Sequence, residues 1–252
     1  MHPRDGRERP AERGIRPPPG APLTRTVLAG RPEEGVRIMR VLQDRIEAGR
    51  LLGEQLAEEY AGTDTVVLGL PRGGVPVAAE VARRIRAPLD VLVVRKLGVP
   101  HHEEVAMGAV GEEGAIVRNT GVLGSAGVSA VEFERSERRE RAEVAQRIWR
   151  FRGGREPVPL DGRTAIVVDD GMATGATAAV GCRIARARGA ARVVLAVPVA
   201  PPDALAVFDA ADDVVCLSAP AGFMAVGQYY VDFAQVEDEE VVRLLGEARE
   251  QP

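Results

Sequence analysis

Apolar positions are unevenly distributed along the chain, and their spacing predicts its elements. From about residue 37 they recur at helical intervals: Ile38, Val41, Leu42, Ile46, Leu51, Leu52 and Leu56. A continuous apolar run over 65–70 then reads as a buried strand, followed by a Pro-Arg-Gly-Gly turn and a helix over 75–85. The next run, 89–95, reads as a second strand. Residues 97–125 are rich in glycine and charge, with one short apolar piece at 115–118, and 131–151 forms a long charged helix. Beyond it the pattern gives a strand at 164–169, a helix at 174–188, a strand at 192–199, a helix at 203–210, a strand at 213–217 and a last helix at 238–248.

The runs at 65–70, 89–95, 164–169, 192–199 and 213–217 are nearly continuous Val, Leu and Ile. Alternating runs mark strands with one wet face, whereas continuous ones mark strands buried on both faces. Interleaved with helices, they predict an α/β fold with a doubly wound, mainly parallel five-stranded sheet. Ligands of such sheets bind at the carboxyl ends of the strands. The segments 69–74, 95–105 and 169–177 are therefore where chemistry is expected.

Residues 1–36 break the pattern. They hold seven prolines, five glycines and seven arginines, with few apolar residues, and read as a largely disordered tail ahead of a domain over 37–252. The N-terminus shows no apolar stretch of the kind a signal peptide needs. The uncharged stretch from Val214 to Val231 is interrupted by Ser218, Pro220, Gly222, Gly227 and Gln228, so it does not read as a transmembrane helix. A net charge of −4 gives no global basic field to draw the chain to nucleic acid or an anionic membrane. Cys182 and Cys216 lie far apart with no C-x-x-C, which fits a reducing compartment and a cytoplasmic protein. Of 33 basic residues only Lys96 is a lysine.

The segment VVDDGMATGAT, Val167 to Thr177, carries the densest chemistry. A strand ends in adjacent carboxylates, Asp169 and Asp170, and a small turn, Ala173-Thr174-Gly175-Ala176-Thr177, opens a helix. A helix N-terminus offers unpaired N–H groups and the positive end of its dipole, which suits a phosphate. The carboxylates would repel that phosphate but accept hydrogen bonds from sugar hydroxyls, directly or through hydrated Mg²⁺. A sugar phosphate with vicinal hydroxyls satisfies both halves. After the first strand, Pro71-Arg72-Gly73-Gly74 exposes backbone amides beside a fixed cation, a place for a diphosphate. Arg95 and Lys96, read at the end of the second strand, would face the same group. Charge develops on a departing diphosphate, so fixed cations there favour the transition state. His101, His102, Glu103 and Glu104 are adjacent along an extended loop, a poor arrangement for chelating one metal ion. Phe223, Tyr229, Tyr230 and Phe233 are four of nine aromatics, within 11 positions. They read either as an apolar cover on the core or as a stacking surface for a flat acceptor.

The string from Val167 to Thr177 resembles the signature of the type I phosphoribosyltransferases. With the GLPRGG loop and the VRKLG segment, residues of about 37–247 are similar to bacterial members of that family. The resemblance implies a fold with a flexible loop, here about 97–114, and a small hood, here about 218–236. It implies Mg²⁺ as cofactor and 5-phosphoribosyl 1-diphosphate (PRPP) as substrate. Asp169 and Asp170 would contact the ribose hydroxyls, directly or through metal-bound water, and Ala173–Thr177 the 5′-phosphate. Pro71–Gly74, Arg95 and Lys96 would take the diphosphate, and Phe223 and Tyr229 an unidentified, nucleobase-like acceptor. Members are often dimers, which leaves a homodimer as a candidate assembly. Two departures are evident. The stretch from Leu97 to Gly114 has no Lys or Arg, and Ala173 stands where members acting on 6-oxopurines usually carry an acidic base. Glu103 or Glu104 would have to supply a base, or the acceptor needs none. Two other readings are a non-catalytic PRPP- or nucleotide-sensing module of the same fold and a Rossmann-type nucleotide-dependent enzyme. Carboxylates beside the phosphate turn speak against the latter.

Overall fold

A computed structural model describes residues 24–27 and 41–250. The expected tail, 1–36, lies outside the described residues except for 24–27. In chain order the strands are β1 (Thr24–Val27), β2 (Thr65–Gly69), β3 (Leu89–Val91), β4 (Val94–Val99), β5 (His102–Gly111), β6 (Ile116–Arg118), β7 (Thr164–Val168), β8 (Arg192–Val199) and β9 (Asp213–Ser218). The helices are α1 (Arg45–Tyr60), α2 (Gly74–Ile85), α3 (Thr120–Ser125), α4 (Ala130–Arg152), α5 (Ala176–Ala187), α6 (Pro202–Val207) and α7 (Asp238–Glu250).

The main sheet runs β1-β9-β8-β7-β2-β3, with every pair parallel. Five of its strands, β9, β8, β7, β2 and β3, arise from the five continuous apolar runs, with β3 at one edge, and β1 adds a sixth at the other. Side chains leave a strand alternately to its two faces, and both faces here are covered. Val67, Ile166, Val168, Val194 and Val215 pack with α1, α2 and α7. Val66, Leu68, Ala165, Val167, Leu195 and Cys216 pack with α5 and α6. Each fully buried Val or Leu contributes about 1.5–3 kcal/mol, which is why a single apolar run per strand suffices to specify a central strand. Both cysteines are buried and unbridged, and burial pushes each thiol up to about 12. Among the described residues no helix is long and apolar enough to cross a membrane.

The second predicted strand requires correction. The parallel strand stops at Val91, and Val94–Val99 begins an antiparallel sheet in the order β4-β5-β6. Arg95 and Lys96 therefore sit in the first strand of a hairpin, opposite Val110 and Ala109, and not at a carboxyl end of the main sheet. The unbroken apolar run hid this because it serves both sheets: Leu89 and Val91 belong to the parallel one, Val94 to the hairpin. The stretch expected as a loop, 97–114, is mostly hairpin, with a register irregularity around Gly98. Leu97, Met107 and Val110 on this arm are buried against the core, together with Phe133 of α4.

The arm is anchored at its root by a buried group of four charges. Arg152, at the end of α4, donates from Nε and Nη2 to the two oxygens of Asp90 at 2.8 and 2.9 Å, and from Nη1 to Glu112. Asp90 Oδ2 also accepts from Val158 N at 2.9 Å, and Glu112 Oε1 accepts from Val93 N at 3.1 Å. Arg188 reaches the same group, with Nη1 3.7 Å from Glu112. The side chains of Asp90, Glu112, Arg152 and Arg188 are all 2% exposed or less.

Candidate active site

The strand order reverses between β2 and β7. From β2 the chain proceeds outward to β3, then returns to β7 on the other side and continues to β8 and β9. Such a switch point opens a crevice at the carboxyl edge, because the two following connections diverge to opposite faces. Gly69 lies opposite Val168 in the β2–β7 register. The residues that follow, 70–74 and 169–177, are thus brought together although about a hundred positions separate them. Three glycines of these loops, Gly73, Gly74 and Gly175, act through space or conformation. A Cβ on Gly73 would run into Asp170 Oδ2, and one on Gly74 would lie 2.6 Å from Val168 O and 2.9 Å from Asp169 Cα. Only a backbone without side chains can press this loop onto the acidic pair. Gly175 caps α5 at φ +77° and packs on Met172 and Phe208.

Asp169 and Asp170 are partly buried, side by side. Asp169 Oδ1 accepts from Asp170 N at 2.9 Å. Burial and the neighbouring Asp170 charge hold the Asp169 carboxyl well above the ordinary carboxylate range. Burial also raises Asp170, against the opposing pull of Arg45. Arg45 Nε donates to Asp170 Oδ2 at 2.8 Å. This residue was not identified from the sequence: it stands 125 positions away and reads as one polar position in an amphipathic helix. Tyr230 was noted only as part of the aromatic cluster. Its hydroxyl donates to the Asp170 carbonyl at 2.6 Å.

The turn from Ala173 to Thr177 leaves the side chains of Ala173, Thr174, Ala176 and Thr177 exposed around the N-terminus of α5, which starts at Ala176. The first N–H groups of a helix have no partner within it, and Gly175 supplies no side-chain cap, although Ala176 N donates to Thr174 Oγ1 at 3.4 Å. The turn therefore presents a cluster of amides and the Thr174 and Thr177 hydroxyls to the crevice.

The remaining candidates separate from this centre. Arg72 belongs to the loop, but its Nη1 lies 3.7 Å from Glu237 and 3.8 Å from Asp238, at the start of α7. Arg95 donates from Nε to Glu140 of α4 at 3.0 Å, with Nη2 at 2.9 Å from the same carboxylate. Lys96 is exposed on β4. Glu103 is exposed near the hairpin tip. In the C-terminal cover, Tyr229 is buried and stacks on the half-buried Phe223, centroids 5.5 Å apart. Tyr229 thus packs against the core with Leu42, Ala48 and Val199 and does not present a free face to an acceptor. Leu42 N donates to Tyr229 O and Val231 N to Leu42 O, both at 2.8 Å, so residues 41–43 form part of the same cover.

Residues 41–233 match the family model of the phosphoribosyl transferase domain. The chain belongs to that family. Within it, the chain is 54% identical over 211 residues to two Mycobacterium tuberculosis proteins, of strains H37Rv and CDC 1551, that carry provisional phosphoribosyl transferase names. The match takes in 83% of this chain and 47% of theirs, so the chain spans about half the length of the curated relatives it matches. A crystal structure of a Thermus thermophilus protein superposes with a TM-score of 0.74 at 45% identity, over 82% of this chain and 98% of that one. The fold is that of the type I phosphoribosyltransferases.

Proposed function

We propose that the protein is a Mg²⁺-dependent enzyme that transfers the 5-phosphoribosyl group of PRPP to a nucleobase-like acceptor and releases diphosphate. The observation that carries this reading is the juxtaposition, at the β2–β7 switch point, of an amide-exposing loop, two carboxylates and a helix N-terminus with no side chain from its cap residue. The spacing suits a molecule with diphosphate, vicinal hydroxyls and a phosphate in that order. The amides of Ala173–Thr177 and the two threonine hydroxyls bind the 5′-phosphate. Asp169 and Asp170 accept from the ribose 2′ and 3′ hydroxyls. Pro71, Arg72, Gly73 and Gly74 receive the diphosphate through the loop backbone, with the Arg72 guanidinium available once it leaves Glu237 and Asp238.

The donor set fits Mg²⁺. Two adjacent carboxylates are hard oxygen ligands, and a single arginine, Arg45, is set against them. Mg²⁺ keeps several waters and shares its ligands with substrate phosphates. Bound there, it would neutralise the diphosphate charge. In the reaction the C1′–oxygen bond breaks with its electron pair moving to the diphosphate. The acceptor nitrogen bonds to C1′ and gives up a proton. Ala173 cannot take that proton; Glu103 and Glu104 on the arm are the candidates, unless the acceptor is already deprotonated. Arg95 and Lys96 would assist departure only if the arm moves, since Arg95 is held by Glu140.

Diphosphate release from Mg²⁺-PRPP over a panel of bases and amines tests the activity, and calorimetry of PRPP binding tests the site. The Asp169→Asn, Asp170→Asn double variant should keep its circular dichroism spectrum and lose PRPP affinity by at least about a hundredfold, the size expected for two buried charge-assisted contacts. Unchanged affinity overturns the site. The exposed Ala173 and the mutually stacked Phe223 and Tyr229 favour one second reading, a PRPP sensor without transfer. Tight binding with no diphosphate release from any acceptor would establish it. The two buried thiols agree with a reducing, cytoplasmic setting.

A further inference from the structure

We infer that Arg45 is a positioning residue that couples the ribose-binding carboxylate to the C-terminal cover, so that the two halves of the crevice respond as one unit. The inference rests on the role proposed above for Asp170. Arg45 is the first residue of α1, and its guanidinium makes three separate contacts. Nε donates to Asp170 Oδ2 at 2.8 Å, Nη1 donates to the Ala234 carbonyl at 2.8 Å, and the group lies over the Phe233 ring, 4.0 Å from its centroid. Phe233 in turn stacks on Tyr230 at 5.0 Å, and the Tyr230 hydroxyl returns to Asp170 through its carbonyl. These contacts close a ring: Asp170 side chain, Arg45, Phe233, Tyr230, Asp170 backbone.

Such a ring has a directional consequence. Arg45 occupies one oxygen of Asp170 and so restrains the carboxylate's rotamer. The guanidinium is a rigid fork, so it cannot follow Asp170 without moving relative to Ala234 and Phe233. A ligand that draws on Asp170 therefore shifts the cover, and a change in the cover reaches Asp170. Glycine at position 73 leaves room for this, since a Cβ there would also lie 3.3 Å from Arg45 Nε. Lysine could restore the charge but not the simultaneous bond, fork and stack.

The coupling is tested in two arms that use the whole chain. Without ligand, hydrogen exchange is followed at the amides of Val231 and Asp232, which are bonded to Leu42 O and Gln43 O. Arg45→Ala and Asp170→Asn should each raise exchange there, and Arg45→Lys should not restore protection; unchanged exchange in Asp170→Asn overturns the coupling. With Mg²⁺-PRPP, Arg45→Ala should weaken affinity about tenfold, as for one charge-assisted hydrogen bond. Phe233→Leu should weaken it about threefold in the Arg45 protein and not at all in the Arg45→Ala background, since coupled sites are non-additive. Additive effects overturn the coupling. If the wild-type chain binds no PRPP, the proposed function fails, and the exchange arm alone decides the role of Arg45.

Discussion

The crevice and the root of the arm are built from the same materials and completed in opposite ways. Each holds two acidic side chains and arginine. At the root, Asp90 and Glu112 meet Arg152 and Arg188, two charges against two, and backbone N–H groups fill the remaining carboxylate oxygens. In the crevice Asp169 and Asp170 share one arginine, Arg45, and their carboxyls are held above the ordinary range. At the root each charge faces an opposite one, and burial still raises the Glu112 carboxyl. In the crevice one arginine stands against two carboxylates, which suits the cation and hydroxyl donors proposed for it. Burial and a raised carboxyl are therefore common to both places, and what separates them is the number of arginines set against each pair of carboxylates.

Breaking the balanced cluster should have the largest effect. Arg152→Met leaves two buried carboxylates short of a partner, and the expected loss is about 3–5 kcal/mol in urea unfolding, as for the removal of one member of a buried pair. Adding Asp90→Asn and Glu112→Gln should recover part of that loss; no recovery would mean that packing, and not charge, holds the root. Gly73→Ala comes next. Forcing a methyl group against Asp170 and Arg45 should cost about 1–3 kcal/mol by overpacking, together with a measurable drop in PRPP affinity by calorimetry. Gly175→Ala should cost about 1–2 kcal/mol for a side chain in the left-handed region, and a thermal midpoint unchanged from wild type would show that the turn relaxes.

The smallest expected effect has the opposite sign and sharpens the comparison most. The native Asp169 carboxyl titrates well above its ordinary 3.8. The folded state then holds a proton that the unfolded chain has released, so the unliganded protein loses stability as pH rises from about 4 through the native value. Asp169→Asn should therefore raise the thermal midpoint at pH 7, leave it nearly unchanged at pH 4, and weaken ligand binding. Destabilisation at pH 7 would show that the acidic pair is as fully compensated as the arm root.

What the sequence revealed follows the same division. Both halves of the crevice were legible because each is local: an apolar strand, then small residues or paired carboxylates, then a helix, within about ten positions. The parallel sheet was legible for the same reason, since a strand buried on both faces needs an unbroken apolar run. Contacts made at long range were not. Asp90 and Arg152 are 62 positions apart, and Asp90 looks like a single polar interruption in an apolar strand. Arg45 lies 125 positions from Asp170. The placement of Arg95 and Lys96 failed because one apolar run crosses from a parallel strand into a hairpin, and hydropathy carries no sign of a change of partner. The aromatic cluster was ambiguous from spacing alone: burial of Tyr229 and its stacking on Phe223 place it with the core.

The joint at the arm root also gives the molecule a thermal asymmetry. The penalty for burying ions falls as temperature rises, while apolar burial stops improving. On warming, the seams filled by valine and leucine weaken relative to the four-charge anchor. Heat should then loosen the helices around the sheet before it frees the hairpin from the core, to the upper end of the range in which the fold survives.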